Sequence, residues 1–207
     1  MKKTDELPWQ YKKTGSWKRL HDLLADLSFF AACWEADKQE VHAYWTQVEG
    51  NSSLRLVEAY QHVINDPAQY SEHVWSIALF LDNMGHLDEA LFLQEYLVDH
   101  FRQSSNMEDL QAALGNQALI LDEGGDMDGA MGLHKEEERI CSELGDREGL
   151  CYSLVNQALI LGIKQNQTRE ALSLADEVYR LAADQGFVSL AKQIEGIRSK
   201  IARKEGK

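Results

Sequence analysis

Cysteine and proline are both scarce in this chain, and each scarcity excludes something. The three cysteines, Cys33, Cys141 and Cys151, include no CxxC pair. An odd, sparse set is a poor disulfide framework and points to a reducing compartment, so the expected location is the cytoplasm. Only two prolines occur, Pro8 and Pro67. With so few breakers and abundant Leu, Ala, Glu and Gln, the chain leans strongly toward helix. No segment approaches the run of about 18 apolar residues that a membrane span needs. No apolar run follows Lys2 and Lys3, so no secretory signal is expected.

Basic charge is also in deficit. There are 34 acidic and 21 basic residues, for a net charge of -13. Proteins that grip a phosphate backbone neutralise it with clustered Lys and Arg, so nucleic acid is not an expected partner; without a long apolar span, neither is a membrane. The basic runs that exist are short: Lys2, Lys3, Lys12 and Lys13 near the start, and Arg198, Lys200, Arg203, Lys204 and Lys207 near the end. The second suits the negative end of a helix dipole. The acidity fits a protein or peptide partner carrying basic or apolar groups.

Sequence patterns for catalysis are missing as well. No GxxxxGK-Ser/Thr loop is present, and Gly124-Gly125 lacks the lysine that would follow it. The 7 histidines form no HExxH, and His21, His42, His62, His73, His86, His100 and His134 scatter over separate helices and turns. Surface or partly buried side chains, rather than metal ligands, are expected there. Glu136-Glu137-Glu138 is expected to be mostly the solvated face of an amphipathic helix. Cys141 and Cys151 flank one loop and are expected to be core thiols. The chain is therefore not expected to be an enzyme, and no cofactor or metal is implied.

What is present is a core and a repeat. Hydrophobic residues make up 44% of the 207, enough for one compact domain or one short solenoid. Residues 116–121 and 156–161 both read Asn-Gln-Ala-Leu-Ile-Leu, at an offset of 40. Forty residues earlier, Ile77, Ala78, Leu79, Phe80 and Leu81 fall in register. A period of this size signals stacked supersecondary units. Each copy carries two helical patterns around a turn. In the second copy, Leu114, Ala118 and Leu121 share a face; Gly124-Gly125-Asp126 breaks and restarts the helix; Ala130, Leu133, Glu137 and Ile140 share the next face. In the first copy the turn is Asn83 to His86, with Ala90, Leu93 and Leu97 after it. In the third the turn is one residue longer, Lys164 to Thr168. Alanines at 78, 90, 118, 130, 158 and 171 would let paired helices approach closely.

Phe187, Leu190, Ala191, Ile194, Ile197 and Ile201 form a final apolar stripe, expected as a capping helix over 187–204. Before the repeats, Ser53 to Ile64 is expected to be a helix, and Asp66-Pro67 to start the next. Residues 1–50 differ in character. They hold four of the five tryptophans, Trp9, Trp17, Trp34 and Trp45, and no repeat. They read as a helical opening segment before a superhelix over 51–207, with repeats at about 71–106, 107–146 and 147–186.

The series Leu114, Ala118, Leu121, Gly125, Ala130 resembles the tetratricopeptide repeat. Glu143-Leu144-Gly145-Asp146 and the period of 40 are similar to the longer repeats of kinesin-light-chain and Leu-Gly-Asn-type adaptors. The resemblance covers about 71–184; Gly162 and the longer third turn depart from the pattern. It implies an all-α fold, a right-handed α-solenoid of antiparallel helix pairs whose first helices line a concave groove. Carried onto this chain, the groove positions are Trp75, Ser76, Leu79 and Asp82; Gly115, Asn116, Leu119 and Asp122; and Val155, Asn156 and Leu159. Asn116 and Asn156 fall where the longer repeats carry an asparagine ladder. An amide holds a donor and an acceptor together, so it can pair with an extended backbone; the bland alternative is a bond to a neighbouring helix. The groove lacks the Lys and Arg set that clamps a C-terminal carboxylate, so acidic chaperone tails are not expected partners.

The opening residues carry a second resemblance. Glu6-Leu7-Pro8-Trp9, Trp17 to Leu20, Leu23, Leu24, Asp26 to Phe30 and Ala43-Tyr44-Trp45 are similar to the junction after the nucleoside-triphosphatase core in nephrocystin-3-like proteins and bacterial signal-transduction ATPases with numerous domains. That implies the sensor arm of a larger switch protein. Two functions follow as expectations: a non-catalytic module binding a peptide or protein, or a structural, regulatory or self-associating arm of a larger signalling ATPase.

Overall fold

The computed structural model describes the backbone of residues 2–205, and side-chain surroundings for 6–203 except Lys164. The side chains of Lys2, Lys3, Lys204 and Lys207 from the terminal basic runs lie outside the described residues. Among the described residues there is no strand, and helices pack in sequence against their neighbours. Two compact units, Met1–Tyr96 and Leu97–Lys207, divide the chain inside one helix.

The first unit contains α1 (Lys2–Lys13), α2 (Trp17–Ala25), α3 (Leu27–Ala36), α4 (Lys38–Asn51), α5 (Leu56–Asn65), α6 (Ser71–Asn83) and the start of α7 (Leu87–Ser104). Short polar residues set the starts. Asp26 and Asp37 lend side-chain oxygens to the backbone N–H of Phe29 and Glu40, capping α3 and α4. The helix expected from Ser53 begins at Leu56 instead. Ser52 is extended at φ -150°, and its hydroxyl donates to the Val48 carbonyl and accepts from the Leu54 N–H, which delays the restart. The next helix starts at Ser71, not at Asp66-Pro67, because Asp66 through Tyr70 close a turn of their own.

The core of this unit is a cluster of rings from four helices. The Phe80 ring on α6 lies 5.3 Å from Phe30, 5.6 Å from Trp34, 5.5 Å from His42 and 6.0 Å from Tyr60. Tyr60 donates its buried hydroxyl to the Leu24 carbonyl at 2.8 Å, joining α5 to α2. Burial pushes the Tyr60 phenol far above its ordinary range. Trp34 and Trp45, from the tryptophan-rich opening, are thus part of the core that takes in α6.

The second unit holds the rest of α7, then α8 (Met107–Gly124), α9 (Met127–Leu144), α10 (Arg147–Leu159), a π-helical turn (Ile160–Lys164), α11 (Thr168–Asp184) and α12 (Val188–Glu205). The expected breaks are where glycine permits a left-handed residue: Gly125 at φ +92° and Gly145 at φ +73° end α8 and α9. Asp126 and Asp146 follow them and cap α9 and α10 through the N–H groups of Gly129 and Gly149. Alanines 78, 90, 118, 130, 158 and 171 are all fully buried. On α12, Leu190 and Ile194 join the cluster of Cys151, Leu154 and Val178, and Ile201 joins Ala158 and Ala171. The last stripe therefore packs against residues of α10 and α11.

The third copy solves its extra residue inside the helix. The Gln165 N–H reaches the Ile160 carbonyl at 3.0 Å, five residues back, and Gln167 reaches Leu161. A π-turn takes in one residue without breaking the rod.

Candidate functional site

Helices α8, α9 and α10 enclose an open pocket of about 300 Å³. The helical period produces it directly. Leu114 and Ala118 point into the core, so Gly115, Asn116 and Leu119 take adjoining positions on α8. Tyr152 and Asn156 occupy successive turns of α10 across the pocket. Leu119 is 48% exposed and Tyr152 is 45% exposed, which leaves two large apolar groups at the rim.

The floor is Glu137. From α9 it shares the inward stripe with Ala130 and Ile140, and it is only 7% exposed. The acidic run is therefore a solvated face only in part, with Glu136 and Glu138 partly exposed on either side of a buried Glu137. Glu137 is buried; Glu136 pairs with Arg102 at 2.7 Å; Glu138 accepts from Gln157 at 2.8 Å. The helix has room for the carboxylate because residue 115 is glycine. A β-carbon there would stand 2.7 Å from Glu137 Oε1.

His134 is buried beside Glu137, against the expectation of surface or partly buried histidines. Its Nδ1 is 2.8 Å from Glu137 Oε2, and against an ionised carboxylate Nδ1 is the donor; Nε2 is sealed from solvent with no hydrogen-bond partner among the described residues. The His134 carbonyl accepts from Ser153 Oγ at 2.6 Å and from Gln157 Nε2 at 3.4 Å, which ties α9 to α10. This network holds one face of Glu137 in place and leaves Oε1 toward Gly115.

A second polar chain braces the pocket's edge. Cys141 Sγ donates to Gln111 Oε1 at 2.8 Å, and Gln111 Nε2 donates to Asp146 Oδ2 at 2.6 Å. Burial pulls the Asp146 carboxyl up, but bonds from the Gly149 N–H, the Gln111 amide and the Glu148 N–H outweigh it and hold it below the ordinary range. Burial, then the nearby carboxylates of Glu137 and Asp146, push the Cys141 thiol up to about 12. Burial likewise raises Cys151. Both share one core cluster and are protonated thiols at neutral pH, not nucleophiles.

Asp146→Ala is expected to cost about 1–2 kcal/mol, since it removes the α10 cap and a partner of Gln111. The carboxylate's contribution is present above its unfolded value near 3.8 and is lost as pH falls through its lower folded value. In urea titrations the gap between wild type and Asp146→Ala should therefore hold at pH 7 and narrow below about pH 4. A gap that widens in acid would contradict this arrangement.

Of the groove positions expected from the repeat, the structure brings Gly115, Asn116, Leu119 and Asn156 to this one pocket. Asp122 and Leu159 lie one turn further along α8 and α10, partly exposed and off the pocket's lining. Val155 is not a groove residue: it is buried in the core with Cys151 and Leu154. Trp75, Ser76, Leu79 and Asp82 all lie on α6 of the first unit, each partly exposed. The Ser76 hydroxyl is already spent on the His73 carbonyl at 3.0 Å. The repeat pattern did not single out Gln111, Ala112, Glu137, Gly149 or Tyr152 for the pocket. The signal for Glu137 was a charged residue on an otherwise apolar stripe.

Neither Asn116 nor Asn156 spends its side-chain amide on another described residue. Among the described residues, no group of three or more His, Cys, Asp or Glu is arranged to hold a metal ion, and no helix is long and apolar enough to cross a membrane. The fold and pocket define an all-helical chain of sequentially packed helices with a small open groove. No protein-family model matches the chain, and no curated protein matches it.

Proposed function

We propose that this chain is a tetratricopeptide-type array, a right-handed α-solenoid of antiparallel helix pairs, and that it binds an extended peptide segment of a protein partner without catalysis. The observation that carries this reading is the pair Asn116 and Asn156. They recur at the repeat offset of 40, line one pocket, and keep their amides unspent. Partly exposed amides with no internal partner suit the alternating donors and acceptors of a peptide backbone. The apolar rim of Leu119 and Tyr152 supplies area for alternate side chains of such a segment.

The test is a displayed library of random nine-residue peptides panned on the whole chain, with affinities of selected peptides measured by fluorescence anisotropy. Asn116→Ala/Asn156→Ala is expected to weaken them about tenfold or more, as two amide–backbone bonds are lost. Selected peptides that bind the double variant equally well would reject the groove.

A second reading makes the chain the sensor arm of a larger signalling ATPase, or a self-associating module. Trp9 favours it: on α1 this ring stays 54% exposed while Trp34 and Trp45 are buried. Light scattering of wild type and Trp9→Ala separates the two. Self-association lost with Trp9 supports the arm.

A further inference from the structure

We infer that the pocket between α8, α9 and α10 is a subsite for one lysine side chain of the bound peptide, with Glu137 Oε1 as its counter-charge. This deepens the peptide-groove reading and rests on it. The argument starts from the cost of burying a carboxylate. Glu137 is 7% exposed, and the protein supplies it one hydrogen bond, from His134 Nδ1 to Oε2. A carboxylate accepts about four hydrogen bonds, and removing it from water without donors is unfavourable. Oε1 receives no donor from the described residues and faces the gap left by Gly115. No Lys or Arg lines the pocket to neutralise it. Oε1 is left open to the pocket, where water or a ligand donor can reach it, and the net charge of -13 draws a basic segment toward the chain.

Geometry selects lysine over arginine. A guanidinium gains most from a carboxylate that offers both oxygens to its fork. Glu137 offers one, because His134 holds the other. An ammonium is a point charge with three donors; it can take Oε1 together with the amide oxygens of Asn116 and Asn156 that line the same pocket. Leu119 and Tyr152 at the rim suit the apolar stem of a lysine.

The test uses the nine-residue peptides selected on the whole chain. One position is expected to be enriched in lysine. Replacing that lysine with norleucine should weaken binding about thirtyfold, and replacing it with arginine should weaken it less. Glu137→Gln, which keeps the side-chain shape, should weaken the lysine peptide equally and leave the norleucine peptide unaffected, so the two changes are coupled in a double-mutant cycle. Gly115→Ala keeps the charge but sets a methyl group against Oε1, and should produce the same selective loss. Circular dichroism melts verify that both variants are folded; should Glu137→Gln not fold, Gly115→Ala decides alone. Peptides that are selected and lose affinity in Asn116→Ala/Asn156→Ala, yet show no lysine dependence, overturn the lysine subsite and leave the groove standing. A Glu137→Gln effect equal on lysine and norleucine peptides also overturns it. If no peptide is selected, both readings fall together.

Discussion

Phe80→Ala is expected to remove about 3–5 kcal/mol from the stability of the first unit. Phe80 is fully buried and touches the rings of Phe30, Trp34, His42 and Tyr60, which come from α3, α4 and α5. Truncation leaves a ring-sized cavity bordered by rigid aromatic groups, which cannot flow in to fill it. Edge and tilted ring contacts worth about 0.5–1.5 kcal/mol per pair are lost in addition to the buried area. Each neighbour also loses part of its wall, so the effect spreads through the cluster rather than staying on α6. All five tryptophans, Trp9, Trp17, Trp34, Trp45 and Trp75, lie in this unit. Tryptophan fluorescence in a urea titration therefore reads the first unit selectively, and its midpoint should fall sharply. A loss of less than about 1 kcal/mol would mean that the ring cluster is not the unit's core.

Gly162→Leu is expected to destabilise the second unit by about 3 kcal/mol through overpacking. Gly162 sits in the π-turn where three elements meet. A β-carbon there would stand 2.7 Å from Ile201 Cγ2 and 2.9 Å from Ala171 Cβ. Ile201 is buried on the final helix, and Ala171 has no rotamer to move away with. Alanine at 162 tests the same contact more gently. It gains about 1 kcal/mol of helix propensity over glycine, and the clash should outweigh that gain. Far-UV circular dichroism with urea measures both variants. A Gly162→Ala protein more stable than wild type would show that α12 can shift away from the π-turn.

The departure of Gly162 from the repeat pattern was visible in the one-dimensional record, but its cause was not. Counting residues shows a turn one residue too long. It does not show that the helix absorbs the residue as a π-turn, because that depends on α11 and α12 closing over Gly162. The same holds for helix starts. The Gly125-Asp126 break is local, since glycine's left-handed freedom and aspartate's short carboxylate act within four residues. The restart at Leu56 rather than Ser53 depends on Ser52 and Glu49 reaching across the link.

Glu137 marks the division most clearly. The period of 3.6 places it on the apolar stripe with Ala130 and Ile140, while its neighbours make it look like part of a solvated acidic run. Only the packing of α8 and α10 around α9 decides between them, because it is the space above Gly115 and the bond from His134 that let a carboxylate stay inside.

Local patterning in the chain accounts for the helices, their glycine breaks, the alanines at the close approaches and the 40-residue register of Asn116 and Asn156. These depend on interactions within a turn or two, or on a repeat that recurs in the same frame. Assembly in three dimensions accounts for the pocket, its buried acid and the ring cluster around Phe80. Each of those joins residues from three or more helices, and no periodicity along one helix specifies what the neighbouring helices bring to meet it.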